Sequence, residues 1–102
     1  MAGVKLAPEK YRRAEIWYKL DRDIWGQGLA TELVTGMCDH CFARLELTRI
    51  EAGVAVDNMA SFRVLEKCGF TREGRLRSNL PLKSGMSDSF IYGRLSSDQP
   101  DS

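Results

Sequence analysis

The apolar residues of this chain change their spacing in a set order, and that order limits the folds open to it. Ala14 to Leu20 alternates, with Trp17 and Tyr18 at its centre, as a strand does. Leu29 to Phe42 instead sets Ala30, Leu33, Val34, Met37 and Cys41 three and four residues apart, which makes one face of a helix apolar. Arg49 to Val56 returns to alternation, with Ile50, Ala52, Val54 and Val56 on one side. A second helical stretch follows. Asp57-Asn58 offers its N-cap, Ser61, Val64, Leu65 and Cys68 line one side, and Gly69 stops it where a positive φ is free of strain. Two strands near Thr71–Arg77 and Ser87–Leu95 end the pattern, joined by a loop holding Pro81 and Gly85.

The order β-α-β-α-β-β predicts a parallel crossover followed by an antiparallel hairpin. The expected class is α/β (α+β), a mixed twisted sheet flanked by helices. Before Ala14 the chain is weakly patterned, with a strand remnant at Val4-Lys5-Leu6. At 102 residues there is room for a single small domain. It is expected over residues 1–95, with the polar, proline-containing stretch 96–102 as a disordered tail.

Charge narrows the partners. Fifteen basic against 14 acidic residues leave a net charge of +1, which gives no reason to expect nucleic acid or an anionic membrane. The short clusters Arg12-Arg13 and Arg72, Arg75, Arg77 read as solvated strand edges. No apolar run approaches the roughly 20 residues that span a bilayer, and Met1 to Arg13 holds no secretory signal pattern. Three cysteines, an odd number, suit a reducing cytoplasm better than a disulfide framework. Cys38-Asp39-His40-Cys41 has the spacing of a metal or redox motif, yet Cys68 stands alone and His40 is the single histidine. Its two cysteines fall on the apolar helix face, so core packing is expected and no metal is.

Asp23-Ile24-Trp25-Gly26-Gln27-Gly28-Leu29-Ala30-Thr31 joins the first long strand to the helix it opens. Glycines allow a tight turn and a ligand's close approach. The first N–H groups of a helix lack intrahelical acceptors and carry positive potential, which suits a pyrophosphate without any lysine. A nucleotide P-loop would end Gly-Lys-Ser/Thr, and a dinucleotide fingerprint would place a third glycine where Thr31 stands. Alone, the loop is equally a glycine-tolerant turn.

Gly26-Gln27-Gly28-Leu29-Ala30-Thr31-Glu32, followed by Asp57-Asn58-Met59-Ala60-Ser61-Phe62-Arg63-Val64-Leu65-Glu66-Lys67-Cys68-Gly69-Phe70, resembles the GNAT acetyltransferases. The similarity is nearest to the branch of ribosomal-protein N-terminal acetyltransferases, and Ala14-Glu15-Ile16 and Glu73–Arg77 also match it. It covers Arg12 to about Leu95. The resemblance implies acetyl-CoA as co-substrate and direct acetyl transfer to an amine, a protein N-terminus or a small amine. Backbone amides from Gly26 to Ala30, in the turn that Trp25 precedes, would hold the CoA pyrophosphate. Pantetheine would lie between two splayed strands beside Tyr18 to Leu20. Asn58 would bind the pantetheine arm, and Ser61 would lie near the sulfur and reprotonate the thiolate. The plainer alternative for Asn58 and Ser61 is helix capping, which is compatible with ligand contact.

The chain departs from the family pattern at three places. Trp25 replaces a frequent Gln or Arg, and Leu65 stands where many relatives carry a tyrosine acid. Ser78-Asn79-Leu80 occupies the stretch where some relatives carry a glutamate base. Glu15 and Glu51, on the two central strands, are the remaining candidate bases; either is equally a solvated or ion-paired carboxylate. Trp17 could stack on a ligand or fill a core, and Tyr92 reads as packing. The family's usual first strand and helices, which form a wall of the acceptor site, have no counterpart before Ala14. An exposed sheet edge and apolar face would follow, so a homodimer or higher oligomer is expected. The alternative to an enzyme is a non-catalytic CoA-binding or subunit-contact protein.

Overall fold

The computed structural model describes residues 2–18 and 27–98. Within them lie β1 (Ala2–Leu6), β2 (Arg13–Tyr18), α1 (Gln27–Asp39), β3 (Arg49–Ala55), α2 (Met59–Lys67), β4 (Thr71–Leu82) and β5 (Gly85–Leu95). The five strands form one sheet in the order β1-β2-β3-β5-β4. Only β2 and β3 run parallel, and α1 connects them; the other pairs are antiparallel. The mixed sheet and hairpin are those the periodicities predict.

Alternation decides which side of the sheet is dry. Ala14 and Ile16 of β2, Ile50, Ala52 and Val54 of β3 and Tyr92 of β5 all point to one face. There they join Ala30, Val34, Cys38 and Cys41 from the first helical segment and Val64, Leu65 and Cys68 from α2 in one buried cluster. The partners at the intervening positions, Glu15, Trp17, Arg49, Glu51 and Gly53, project from the opposite side, called here the open face. Trp17 therefore does not fill the core. It is 47% exposed and lies across Gly3, where an added Cβ would stand 2.5 Å from the indole ring.

Four boundaries differ from expectation. The remnant at Val4–Leu6 is a full strand, paired with β2 from Ala2↔Tyr18 to Leu6↔Ala14. Sparse patterning reflects an edge strand, whose Val4 and Leu6 stay exposed. The first helix begins two residues earlier, at Gln27, and beyond Asp39 continues as a π turn over His40–Arg44. Phe42 in that turn lies beneath the buried Arg94, its ring centroid 5.3 Å from the guanidinium carbon. Pro81 and Gly85 belong to strands rather than a loop, because the hairpin stays paired out to Leu82↔Gly85. Gly69 adopts φ 90° after α2, as expected.

Candidate functional site

The β2–β3 ladder is short. Bridges join Arg13↔Arg49, Ala14↔Ile50 and Glu15↔Glu51, and none joins 16–18 to 52–55. Both strands continue past that point, held from their outer sides: β1 pairs with β2 through Tyr18, and β5 pairs with β3 through Ala55. A wedge-shaped gap thus opens between two parallel strands toward their C-terminal ends. Backbone N–H and C=O groups along it lack the strand partner that a continuous sheet would supply.

Both helices start at that same end of the sheet. α1 opens with Gln27 and Gly28 after the segment leaving β2, and α2 opens after a short turn leaving β3. The first amides of α1 and the dipoles of both helices make this end electropositive, while in α2 the Met59 and Ser61 N–H groups are already taken by Asp57 O and Asn58 Oδ1. Gly28 is exposed, with no heavy atom within 4 Å of where its Cβ would be. Leu29 and Met59, in the first turns of the two helices, are half-exposed and apolar, a pairing the sequence patterns did not single out. Ala30 is buried in the core. Leu20, Trp25 and Gly26 lie outside the described residues, as do the side chains of Tyr18 and Gln27.

Asn58 is the N-cap of α2, its Oδ1 accepting a hydrogen bond from the Ser61 N–H at 3.2 Å. Asn58 is exposed, whereas Ser61 is 6% exposed. Leu65 is fully packed, so the position of the family's usual acid is part of the core here. Tyr92 is no substitute acid. Its hydroxyl donates to Glu66 Oε2 at 2.8 Å and accepts from Arg72 Nε at 3.0 Å, and burial pushes its pKa up.

Glu15 and Glu51 stand side by side in register on the open face, at the last bridge before the gap. Their surroundings differ. Glu51 is tied to Arg49 Nε at 3.0 Å and lies 3.9 Å from Arg13. Glu15 is exposed and makes no hydrogen bond or ion pair among the described residues. Arg49 also holds Glu73, whose carboxyl is drawn below its ordinary range by the hydrogen bond from that guanidinium. Glu73 follows the core-side Arg72 at a β-bulge before Gly74 and lies on the open face, as alternation from Arg72 requires. This ion pair lies over Gly93, where a Cβ would come within 2.8 Å of both side chains. The spacing Arg49-x-Glu51 signals same-face pairing in a strand, but the Glu73 bulge has no mark in the pattern.

At Ser78–Leu80 the strand bulges again, and Ser78 takes φ 50°. No glutamate stands there, but Asp88 from the facing strand does. Its carboxyl accepts from Ser78 N–H at 2.8 Å and Arg75 Nε at 2.9 Å, and is held below its ordinary range, mostly by the backbone bond. Cys38 and Cys41 are fully buried, and burial raises the Cys38 thiol to about 11. Among the described residues no three metal-binding side chains group together, and no helix is long and apolar enough to cross a membrane.

Comparison with known proteins matches this geometry. Residues 1–71 fit the family model described as an acetyltransferase (GNAT) domain. An uncharacterized N-acetyltransferase, p20 of Bacillus licheniformis, is 37% identical over 93 residues, covering 91% of this chain and 52% of the relative. A probable N-acetyltransferase, YjcK of Bacillus subtilis, is 42% identical over 85 residues, covering 83% and 47%. The crystal structure of a probable acetyltransferase superposes with a TM-score of 0.86 at 30% identity, covering 93% of this chain and 53% of that one. The chain thus spans about half the length of the relatives it matches. With the splayed parallel pair and the two helix mouths beside it, these matches establish that the chain belongs to the GNAT acetyltransferases.

Proposed function

We propose that this chain is an acetyl-CoA-dependent N-acetyltransferase module acting by direct transfer. The observation that carries this reading is the gap between β2 and β3, which stays open although both strands are paired on their outer edges. A flexible thioester arm carries amides of its own, which strand amides without a ladder partner can meet. The amides from Gly26 to Ala30 at the mouth of α1 would seat the CoA diphosphate, with Trp25 at the entry. Pantetheine would run past Tyr18 and Leu20 with Asn58 alongside, and Leu29 and Met59 offer apolar cover.

Transfer requires an uncharged amine. Its nitrogen attacks the thioester carbonyl, the N–C bond forms, and the C–S bond breaks from a tetrahedral intermediate whose oxyanion needs a donor. The nitrogen's proton passes to a base, and the thiolate leaves to be reprotonated. Glu15 and Glu51 are the candidate bases, Glu15 being the one whose carboxylate is free of ion pairs. Ser61 is the candidate acid for the thiolate. The acceptor class is an amine, either a small molecule or a protein N-terminus.

Calorimetric titration with acetyl-CoA, followed by thiol release with an amine panel, tests this. Binding with turnover is expected. Binding without turnover would leave a CoA-holding protein, and no binding would refute the assignment. We also read the chain as self-associating, since β1 is the edge strand of the sheet among the described residues and leaves Val4 and Leu6 exposed. Light scattering at micromolar concentration is expected to give a dimer or larger; a monomer would overturn this.

A further inference from the structure

A small cleft lies beside the closed end of the β2–β3 ladder and reaches the root of the gap at Glu15 and Glu51, with a volume of about 150 Å3. Its polar walls are Lys5, Arg13, Glu15 and Glu51, and Leu6 and Ala14 contribute to its lining. Two of these four charges are already committed to each other, because Glu51 lies 3.9 Å from Arg13 and is hydrogen-bonded to Arg49. The other two are not. Lys5 and Glu15 are direct cross-strand neighbours in the β1–β2 ladder, yet neither head group makes an ion pair or hydrogen bond among the described residues. One unpaired cation and one unpaired anion therefore line the same small cleft. Side chains at directly opposed positions start about 5 Å apart at Cβ.

We propose that this cleft is the acceptor site and that the acceptor is a free α-amino acid, with Glu15 receiving the ammonium and Lys5 the carboxylate. This assignment rests on the transferase reading above. Position favours it: Glu15 and Glu51, at the last bridge before the strands part, line the end of the cleft nearest the gap. Charge favours it over other amines. A protein N-terminus replaces the carboxylate by a neutral amide and leaves Lys5 unpaired. A diamine brings a second cation against Lys5 and Arg13. An α-amino acid satisfies both free groups at once, and the cleft volume suits a small one.

The test compares L-alanine, L-alaninamide and 1,3-diaminopropane as acceptors in a thiol-release assay with acetyl-CoA. Alanine is expected to exceed alaninamide in kcat/KM by about tenfold or more, the range of one charge-assisted hydrogen bond. Lys5→Gln, at an exposed edge position, should bring that ratio close to one, whereas Lys83→Gln in the distant hairpin turn should leave it unchanged. Equal use of alanine and alaninamide by the native chain, or a preference that survives Lys5→Gln, would overturn the proposal. Calorimetric titration with acetyl-CoA separates the two levels of failure. Absent binding refutes the transferase reading and this inference with it; intact binding without alanine preference refutes this inference alone. Should no acceptor turn over, alanine and not alaninamide must still raise the melting temperature of the CoA-loaded chain, and failure there also overturns it.

Discussion

Substituting Gly28 by glutamate should strengthen the fold and abolish cofactor binding. Gly28 is the second residue of α1, is exposed, and beyond its own helix and chain neighbours has no heavy atom within 4 Å of the Cβ position, so an added Cβ clashes with nothing among the described residues. Glutamate exceeds glycine in helix propensity by about 0.5–1 kcal/mol. A carboxylate in the first turn adds about 0.3–1 kcal/mol through the helix dipole. For a domain of this size, a gain of about 1 kcal/mol raises the melting temperature by about 4–8 °C. The ligand experiences the opposite sign. A diphosphate on the same amides would bring about two negative charges to within about 5 Å of the carboxylate. At an effective dielectric of 20–80, each repulsion is about 1–3 kcal/mol. Affinity for acetyl-CoA should fall about a hundredfold or more. Thermal unfolding reads the first effect and calorimetric titration the second. A variant with a raised melting temperature and native affinity would mean that no diphosphate sits at this mouth.

Other expectations follow from single contacts. Asn58→Ala removes the Oδ1 acceptor from Ser61 N–H and should lower stability by about 1 kcal/mol, whereas Asn58→Asp keeps the cap and should weaken acetyl-CoA binding alone. Equal affinity of Asn58→Asp and native protein would leave Asn58 a cap and nothing more. Arg49→Met frees Glu73, whose native pKa lies below its ordinary 4.5 because of that arginine. The pair's contribution is present above the unfolded pKa and disappears as pH falls through the folded one. The urea midpoints of native and variant should therefore differ at pH 6 and draw together as pH falls below the ordinary carboxylate range; a gap independent of pH would refute the ion-pair account. Cys38, raised to about 11 by burial, should resist a thiol reagent at pH 8 until denaturant is added. Fast native modification would contradict its packing.

Long periodic stretches were legible in the sequence because burial and periodicity express the same constraint. Ala30, Val34 and Cys41 on the first helix, and Ile50, Ala52 and Val54 on β3, are all buried as their spacing requires. Asn58 and Gly69 were readable for a different reason: a cap and a left-handed stop have few chemical solutions. Edge and surface features escaped. β1 has no dry face of its own to impose alternation, so its pairing depends on Ala14 and Ile16 of the neighbouring strand. The glutamate at position 73 reaches Arg49 across β5, over Gly93, and local periodicity says nothing of which strands lie side by side. Trp17 stayed open between two readings because aromatic character signals a strand without saying which side of it is wet. At the candidate site, the type of Glu15 and Glu51 was informative, but their contrast in ion pairing arises from Arg13 and Arg49, which no spacing rule ranks.

β1 has a mechanical consequence. Two parallel strands left to themselves would close like a zipper, so a slot between them persists only if something outside keeps them from drifting together. The five-residue ladder from Ala2↔Tyr18 to Leu6↔Ala14 braces the free half of β2 from behind, and β5 braces β3 likewise. The slot is therefore held from both sides by ladders of its own sheet. Weakening the buttress, with proline at Val4 for instance, would let the slot collapse and make entry slow even where every contacting residue remained in place.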